Sequence, residues 1–131
     1  DSSIVIDLYT KLVIPKNSFL INNHEDTLKF ATKFTDNVTF FLHEFEGKTD
    51  SKSLLKSVKS NELLTFSEEK YSDSKIKMIN YTFSNDGVDF KGFALLFSEN
   101  GYNSLFEFES DTKSKNELKE KAFSFVLSAI K

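Results

Sequence analysis

The fold is decided by residues 75–109, KIKMINYTFSNDGVDFKGFALLFSENGYNSLFEFE. Between Lys75 and Phe83, strand-forming residues alternate with Lys and Asn, and this period of two is typical of a β-strand. Asn85-Asp86-Gly87 and Asn100-Gly101 indicate tight turns, because Asn, Asp and Gly adopt the positive φ angles that two-residue hairpins need. The stretch therefore predicts a three-stranded antiparallel meander with strands at 75–83, 88–97 and 102–109.

The middle strand of this meander is apolar on both of its faces. One face carries Phe90, Ala94 and Leu96, and the other carries Phe93, Leu95 and Phe97. A strand of this kind is covered on both sides. We therefore expect it in the centre of the sheet, and we expect the strand before it, flanked by Lys75 and Lys77, to form a protected edge.

The residues before the meander predict further strands and a short helix. Extended segments are indicated at 4–8, at 12–14 before Pro15 and at 19–21. A hairpin is expected from strands at 27–34 and 38–45, joined by the turn signal Asp36-Asn37. After Gly47 the apolar period lengthens to about 3.6 residues, which predicts a short middle helix that begins at Asp50 or Ser51 and ends near Ser60 or Leu64.

A long helix is expected to close the chain. Its apolar residues recur at helical spacing on one face, at Leu118, Ala122, Phe125, Val126 and Ala129. Ser114 and Glu117 have the spacing of a capping box, in which each side chain binds a backbone N–H group at the helix start. The predicted helix runs from Lys115 to Ile130.

Size and composition indicate one α+β domain over residues 1–131 with a phenylalanine core. The chain has 131 residues, among them 15 Phe, no Trp and no Cys. Stability must therefore come from packing, without disulfides or thiolate metal sites. The first residue is Asp1 rather than Met, so we expect a signal peptide, an anchor or another domain upstream.

Charge and hydropathy argue against several partners. All 17 basic residues are Lys, against 20 acidic residues, so the chain lacks the guanidinium fork that binds phosphate groups in two places. Lys91–Phe97 partly matches an RNA-recognition signature, but Leu95 stands at a position that needs a base-stacking aromatic ring. We therefore expect no nucleic acid partner. A membrane span is not expected either, because no apolar run approaches about 20 residues.

No residue pattern indicates catalysis, a cofactor or a metal site. His43-Glu44-Phe45-Glu46 reads as a strand, with His43 and Phe45 on one face and both carboxylates on the other. Glu107 and Glu109 share one strand face, which we interpret as a solvated face. If a pocket exists, its polar groups are expected at His43, Asn80, Tyr81 and Tyr102.

The order of elements resembles the Mog/PsbP-like fold, which includes the DcrB-type bacterial envelope proteins. The resemblance lies in Leu12-Val13-Ile14-Pro15, the hairpin through Phe34 and Val38, the helix after Asp50, the meander and the closing helix. It implies an α+β fold with a curved, mostly antiparallel sheet, a short middle helix and a long C-terminal helix. No functional residue follows from it.

The resemblance also implies a function. Members of that fold mostly act as non-catalytic binding, assembly or lipoprotein-associated modules, which agrees with the lack of catalytic patterns. We therefore expect a binding or adaptor module with a protein partner, placed outside the cytoplasm or anchored at a membrane surface. The alternative is a small-molecule-binding protein or simple enzyme that uses a cavity between the sheet and a helix.

Overall fold

Nine β-strands and one α-helix are formed by the residues that the computed structural model describes, which are 3–7, 11–15, 19–20, 28–47 and 63–126. The strands and the helix have the following bounds: β1 Ser3–Asp7, β2 Lys11–Pro15, β3 Phe19–Leu20, β4 Leu28–Lys33, β5 Thr39–Glu46, β6 Leu63–Lys70, β7 Ile76–Asn85, β8 Val88–Glu99, β9 Tyr102–Ser110 and α1 Lys115–Val126.

Seven of these strands form one antiparallel sheet in the order β3-β4-β5-β9-β8-β7-β6, and β1 pairs with β2 in a separate two-stranded sheet. The predicted meander is confirmed as β7, β8 and β9. Its two turns hold Asp86 and Asn100 at φ angles of 53° and 54°, each followed by a glycine with positive φ. Two successive positive φ angles match the right-handed twist of the strands that the turn joins.

The sheet extends one strand further than the sequence indicates. β6 pairs with β7, from Leu63 opposite Phe83 to Lys70 opposite Lys77, so the predicted edge at β7 is wrong. β6 escaped detection because Ser67-Glu68-Glu69-Lys70 resembles a solvated turn. With β6 added, β9 becomes the fourth of seven strands and β8 lies next to the centre.

The predicted middle helix falls mostly on residues 48–62, which lie outside the described residues. Leu63 and Leu64 belong to β6, so the helix does not reach Leu64. The predicted C-terminal helix is confirmed from Lys115 to Val126, and residues 127–131 also lie outside the described part. α1 is too short to cross a membrane, and the described residues contain no longer helix.

α1 packs on one face of the sheet through the predicted apolar stripe. Leu118, Ala122 and Val126 are completely buried, and Phe125 packs against the same cluster. The ring centroids of Phe40 and Phe108 are 4.9 Å apart, and those of Phe34 and Phe125 are 5.2 Å apart. These distances are those of aromatic pairs in direct contact. The space between α1 and the sheet is therefore occupied by side chains.

The opposite face of the sheet carries a second buried cluster, formed by Ile79, Tyr81, Phe83, Ala94, Leu96 and Leu105. β8 contributes to both clusters, because Phe93 and Leu95 face α1 while Ala94 and Leu96 face away. The prediction that this strand is buried on both faces is confirmed.

The start of α1 is fixed by the predicted capping box. The Glu117 backbone N–H donates to the Ser114 hydroxyl at 3.2 Å, and the Ser114 backbone N–H donates to the Glu117 carboxylate at 2.9 Å. The second bond lowers the pKa of Glu117, because it favours the charged carboxylate. These bonds occupy two of the N–H groups that a helix start leaves without partners.

Replacing Ser114 by Ala is expected to lower the free energy of unfolding by about 1 kcal/mol, because the capping hydroxyl is lost. Ser72→Ala, at an exposed position outside the helix, is the matched control. Urea unfolding followed by circular dichroism measures both variants. Equal stability of the two variants would contradict the capping role.

Candidate functional site

Four buried titratable side chains lie close together on the sheet face opposite α1. They come from three strands: His43 from β5, Tyr81 from β7, and Glu107 and Glu109 from β9. Their exposed fractions are 7%, 1%, 0% and 7%. We call these four residues the polar cluster.

A glycine lets two members of the polar cluster meet across an intervening strand. Tyr81 pairs with Gly92, and Gly92 pairs with Glu109, so the three residues form one row across β7, β8 and β9. A Cβ atom on Gly92 would clash with the Tyr81 ring. The ring therefore lies against the glycine, and its hydroxyl donates to Glu109 Oε2 at 2.7 Å.

The other two members form a diagonal pair between neighbouring strands. His43 pairs with Leu105 in the register, and Glu107 is two residues further along β9. His43 Nε2 lies 3.3 Å from Glu107 Oε1. This is the distance of an ion pair when the imidazole carries a positive charge.

Burial sets the chemistry of the Tyr81 phenol. Removal from water raises its pKa well above the ordinary value, and the nearby carboxylates of Glu107 and Glu109 raise it further, since both disfavour a phenolate. Tyr81 therefore keeps its proton at neutral pH and acts as a hydrogen-bond donor. In this state it is neither a base nor an anionic nucleophile.

The interpretation of Glu107 and Glu109 as a solvated face is wrong. Apolar residues surround both carboxylates, with Leu105 beside them on β9 and Ile79 and Ala94 on the neighbouring strands. One strand read by itself cannot show what its neighbours contribute. The site could have been found from the pattern of β8. A strand that is apolar on both faces is buried on both faces, so its neighbour β9 is also expected to be covered on this face.

The structure separates the four residues that were predicted to line a pocket. His43 and Tyr81 lie on one face, and the prediction that His43 and Phe45 share a face is confirmed. The Asn80 side chain points to the other face of the sheet, because neighbouring residues in a strand point to opposite faces. Its Nδ2 donates to Glu69 Oε2 at 2.6 Å. Tyr102, 45% exposed, lines a depression of about 220 Å³ at the β8–β9 turn.

Glu69 connects β6 and β7 to α1. Besides Asn80, its carboxylate contacts the Lys115 and Lys119 ammonium groups, each at 3.2 Å. These contacts lower the pKa of Glu69, with Lys119 the largest influence. The lysines thus hold the first turns of α1 over the edge of the sheet.

An open groove runs beside this connection at the β6–β7 edge. It has a volume of about 380 Å³ and is lined by Glu68, Glu69, Lys70, Tyr71, Ser74, Ile76 and Lys77. The Tyr71 ring is fixed in place by stacking on Phe123, with ring centroids 5.7 Å apart. We call this feature the β6 groove, and sequence reasoning missed it together with β6.

Within the part of the chain that the structure describes, no group of three or more His, Cys, Asp or Glu side chains is arranged to hold a metal ion. The His43–Glu107 pair supplies only two such groups.

Comparison with solved structures shows the fold. The chain is similar to cyanobacterial PsbP (CyanoP) from Synechocystis sp. PCC 6803, with a TM-score of 0.61 and 10% sequence identity, over 99% of this chain and 92% of that one. The fold is PsbP-like. The fold expected from the order of elements is thereby confirmed at this level.

A second solved structure is similar over comparable lengths. It is PA94 from Pseudomonas aeruginosa, a protein of unknown function, with a TM-score of 0.45 and 14% identity over 95% of this chain and 92% of that one. No family model matches the sequence, and no curated protein matches it.

Adding a methyl group at Gly92 is expected to destabilise the protein through the Tyr81 ring. Gly92→Ala should cost about 1–3 kcal/mol, which is typical of overpacking in a core. In a Tyr81→Val background the side chain no longer lies over residue 92, so the same change should cost much less. A double-mutant cycle by urea unfolding measures the coupling. Equal costs in both backgrounds would show that the ring and the glycine act independently.

The buried phenol also predicts a loss of stability in alkali. In the folded state the pKa of Tyr81 is raised, so the stabilisation is complete below the ordinary tyrosine pKa and falls as the pH rises above about 10. Tyr81→Phe should flatten this alkaline loss while lowering stability at neutral pH by about 1–3 kcal/mol, because the partner carboxylate stays buried. Unfolding measured against pH, together with phenolate absorbance, checks both effects, and Tyr102→Phe is the exposed control. An unchanged alkaline slope in Tyr81→Phe would contradict the assignment.

Proposed function

We propose that this chain is a non-catalytic binding module that docks a protein partner. The observation that carries the proposal is the filled space between α1 and the sheet. Phe40, Phe108 and Leu118 are completely buried there, and their neighbours are in direct ring contact. A substrate needs a concave site in which its reacting atoms are enclosed, and side chains occupy this one.

The geometry of the polar cluster supports a structural role for its residues. The Tyr81 hydroxyl donates its hydrogen bond to Glu109, and the His43 imidazole lies against Glu107. An acid or base must reach the proton that it transfers, whereas Glu107 is fully buried. Internal polar pairs of this kind favour one strand register over its alternatives, since a slip would leave buried groups without partners.

The fold supports the proposal only as an analogy, since a fold hosts many functions. The resemblance to the Mog/PsbP-like fold implies binding, assembly or lipoprotein-associated roles, and the proposed extracytoplasmic setting rests on that resemblance alone. Fractionation of the source cells with an antibody against this chain tests the setting. Recovery in the cytosol would overturn it and would leave the proposed binding role standing.

The β6 groove is the surface that we propose for docking. Tyr71 and Ile76 provide an apolar floor, while Glu68, Lys70 and Lys77 provide a rim with both charges. An apolar centre within a polar rim is the usual anatomy of a protein–protein interface. The occupant that fits is a protein segment with one large apolar side chain flanked by charged residues. Because Tyr71 is already stacked on Phe123, docking would fix little additional side-chain freedom.

A photo-reactive amino acid at position 70 tests this proposal in the source cells. We expect one discrete protein adduct from position 70 and none from position 91, which is exposed on β8 away from the groove. Tyr71→Ala should abolish the adduct by removing the floor, and Lys77→Glu should weaken it by changing the rim without touching the core. Unfolding measurements on both variants confirm that they remain folded.

The outcome that would overturn the proposal is an adduct of equal yield from positions 70 and 91, or none from either. The alternative, a small-molecule-binding protein or simple enzyme, places its cavity between sheet and helix, where described side chains are packed. The observation that favours this alternative is the polar cluster on the other face of the sheet, because titratable groups with shifted pKa values are common at functional sites. Small molecules that stabilise the wild type but not Tyr81→Phe would favour that alternative.

A further inference from the structure

The turn between β8 and β9 places an exposed asparagine before a glycine. Asn100 and Gly101 have φ angles of 54° and 80°, and both residues are exposed. We propose that Asn100 is a site of spontaneous covalent modification, at which the backbone nitrogen of Gly101 closes a succinimide ring on the Asn100 side chain. The site does not depend on the proposed binding function.

The reaction needs only water. The Gly101 nitrogen loses its proton and forms a bond to Asn100 Cγ, and the bond from Cγ to the side-chain nitrogen breaks, so that ammonia leaves. Water then opens the ring at one of its two carbonyl carbons. One product is aspartate, and the other is isoaspartate, in which the main chain runs through the former side chain and gains one carbon.

Asn100 is distinguished from the other described asparagines by its surroundings. Gly101 has no side chain to hinder the attacking nitrogen, and the turn hydrogen bond joins the flanking residues rather than using that nitrogen. Elsewhere at least one condition fails. Asn37 precedes the β-branched Val38, Asn80 and Asn103 are buried, Asn85 precedes Asp86, and Asn116 lies in α1.

The folded turn sets the rate of the reaction. A succinimide ring fixes the ψ angle of its asparagine far from the value of a left-handed turn residue, so the turn must open before the ring closes. Asn103 holds this end of the hairpin closed. Its Nδ2 donates to the Gly47 carbonyl at 2.7 Å, its Oδ1 accepts from the Ser98 hydroxyl at 2.7 Å, and the Gly47 N–H donates to the Gly101 carbonyl at 2.9 Å.

The isoaspartate product would not fit the native turn. A two-residue turn has no room for an additional main-chain carbon without shifting Glu99 and Tyr102, which pair directly across the ladder. That shift breaks the Gly47–Gly101 bond, which is one of the bonds that join the end of β5 to the hairpin. The modification is therefore a slow, irreversible loosening of the point where β5, β8 and β9 meet.

Incubation of the folded chain at neutral pH and physiological temperature, followed by peptide mapping with mass spectrometry, tests the site. We expect aspartate and isoaspartate to accumulate at position 100 and not at Asn37 in the same digests, and Asn100→Gln to suppress the signal. Asn103→Ala should accelerate the modification about fivefold, since it removes bonds that oppose opening. Ser98→Ala removes one of those bonds and should give a smaller acceleration. This variant replaces Asn103→Ala in the experiment if Asn103→Ala does not fold.

One result would overturn the proposed site, and another would overturn the role assigned to Asn103. If Asn100 stays intact in the folded chain while a synthetic peptide of residues 96–106 is modified, the turn protects the residue and the site does not exist in the native protein. If Asn100 is modified at the same rate in the wild type, Asn103→Ala and Ser98→Ala, the contacts of Asn103 do not control the opening.

Discussion

The two strands at the middle of the sheet, β8 and β9, are buried on both faces, and this constraint decides where every polar group near them can lie. On the α1 side the space is filled by phenylalanine rings. On the other side, β9 presents Glu107 and Glu109 to an apolar surrounding, where an ionised carboxylate without a partner is very unfavourable. Tyr81 and His43 meet this requirement from strands on either side. The polar cluster thus couples three strands that the hydrophobic core alone would hold with less specific register.

Much of the fold could be predicted because it depends on local patterns in the sequence. The meander follows from alternation and two turn signals, and the start of α1 follows from the spacing of Ser114 and Glu117. β6 was missed since its residues 67–70 have the composition of a solvated turn, and only pairing with β7 makes them a strand. Secondary structure that depends on a neighbour leaves little trace in its own residues.

The site was harder to predict than the fold for the same reason. Tyr81 and His43 were predicted as pocket residues, but their partners at 107 and 109 looked solvated when one strand was read alone. The row that joins Tyr81 to Glu109 passes through Gly92, and it emerges only when the register is counted outward from both predicted turns rather than along one strand. Asn80 fails as a member of the cluster because strand geometry turns neighbouring side chains to opposite faces.

The contact between Tyr81 and Gly92 also has an evolutionary consequence. A larger residue at position 92 cannot be accepted while a ring lies over it, and a smaller residue at position 81 leaves an unfilled space above the glycine and a carboxylate at 109 without its donor. Each single step is therefore selected against, whereas the paired change avoids the clash and the unfilled space and leaves only the carboxylate at 109 without its donor. Among relatives of this chain, positions 81 and 92 are expected to covary. The residue at 109 is expected to change with the residue at 81, because that side chain supplies its hydrogen-bond donor.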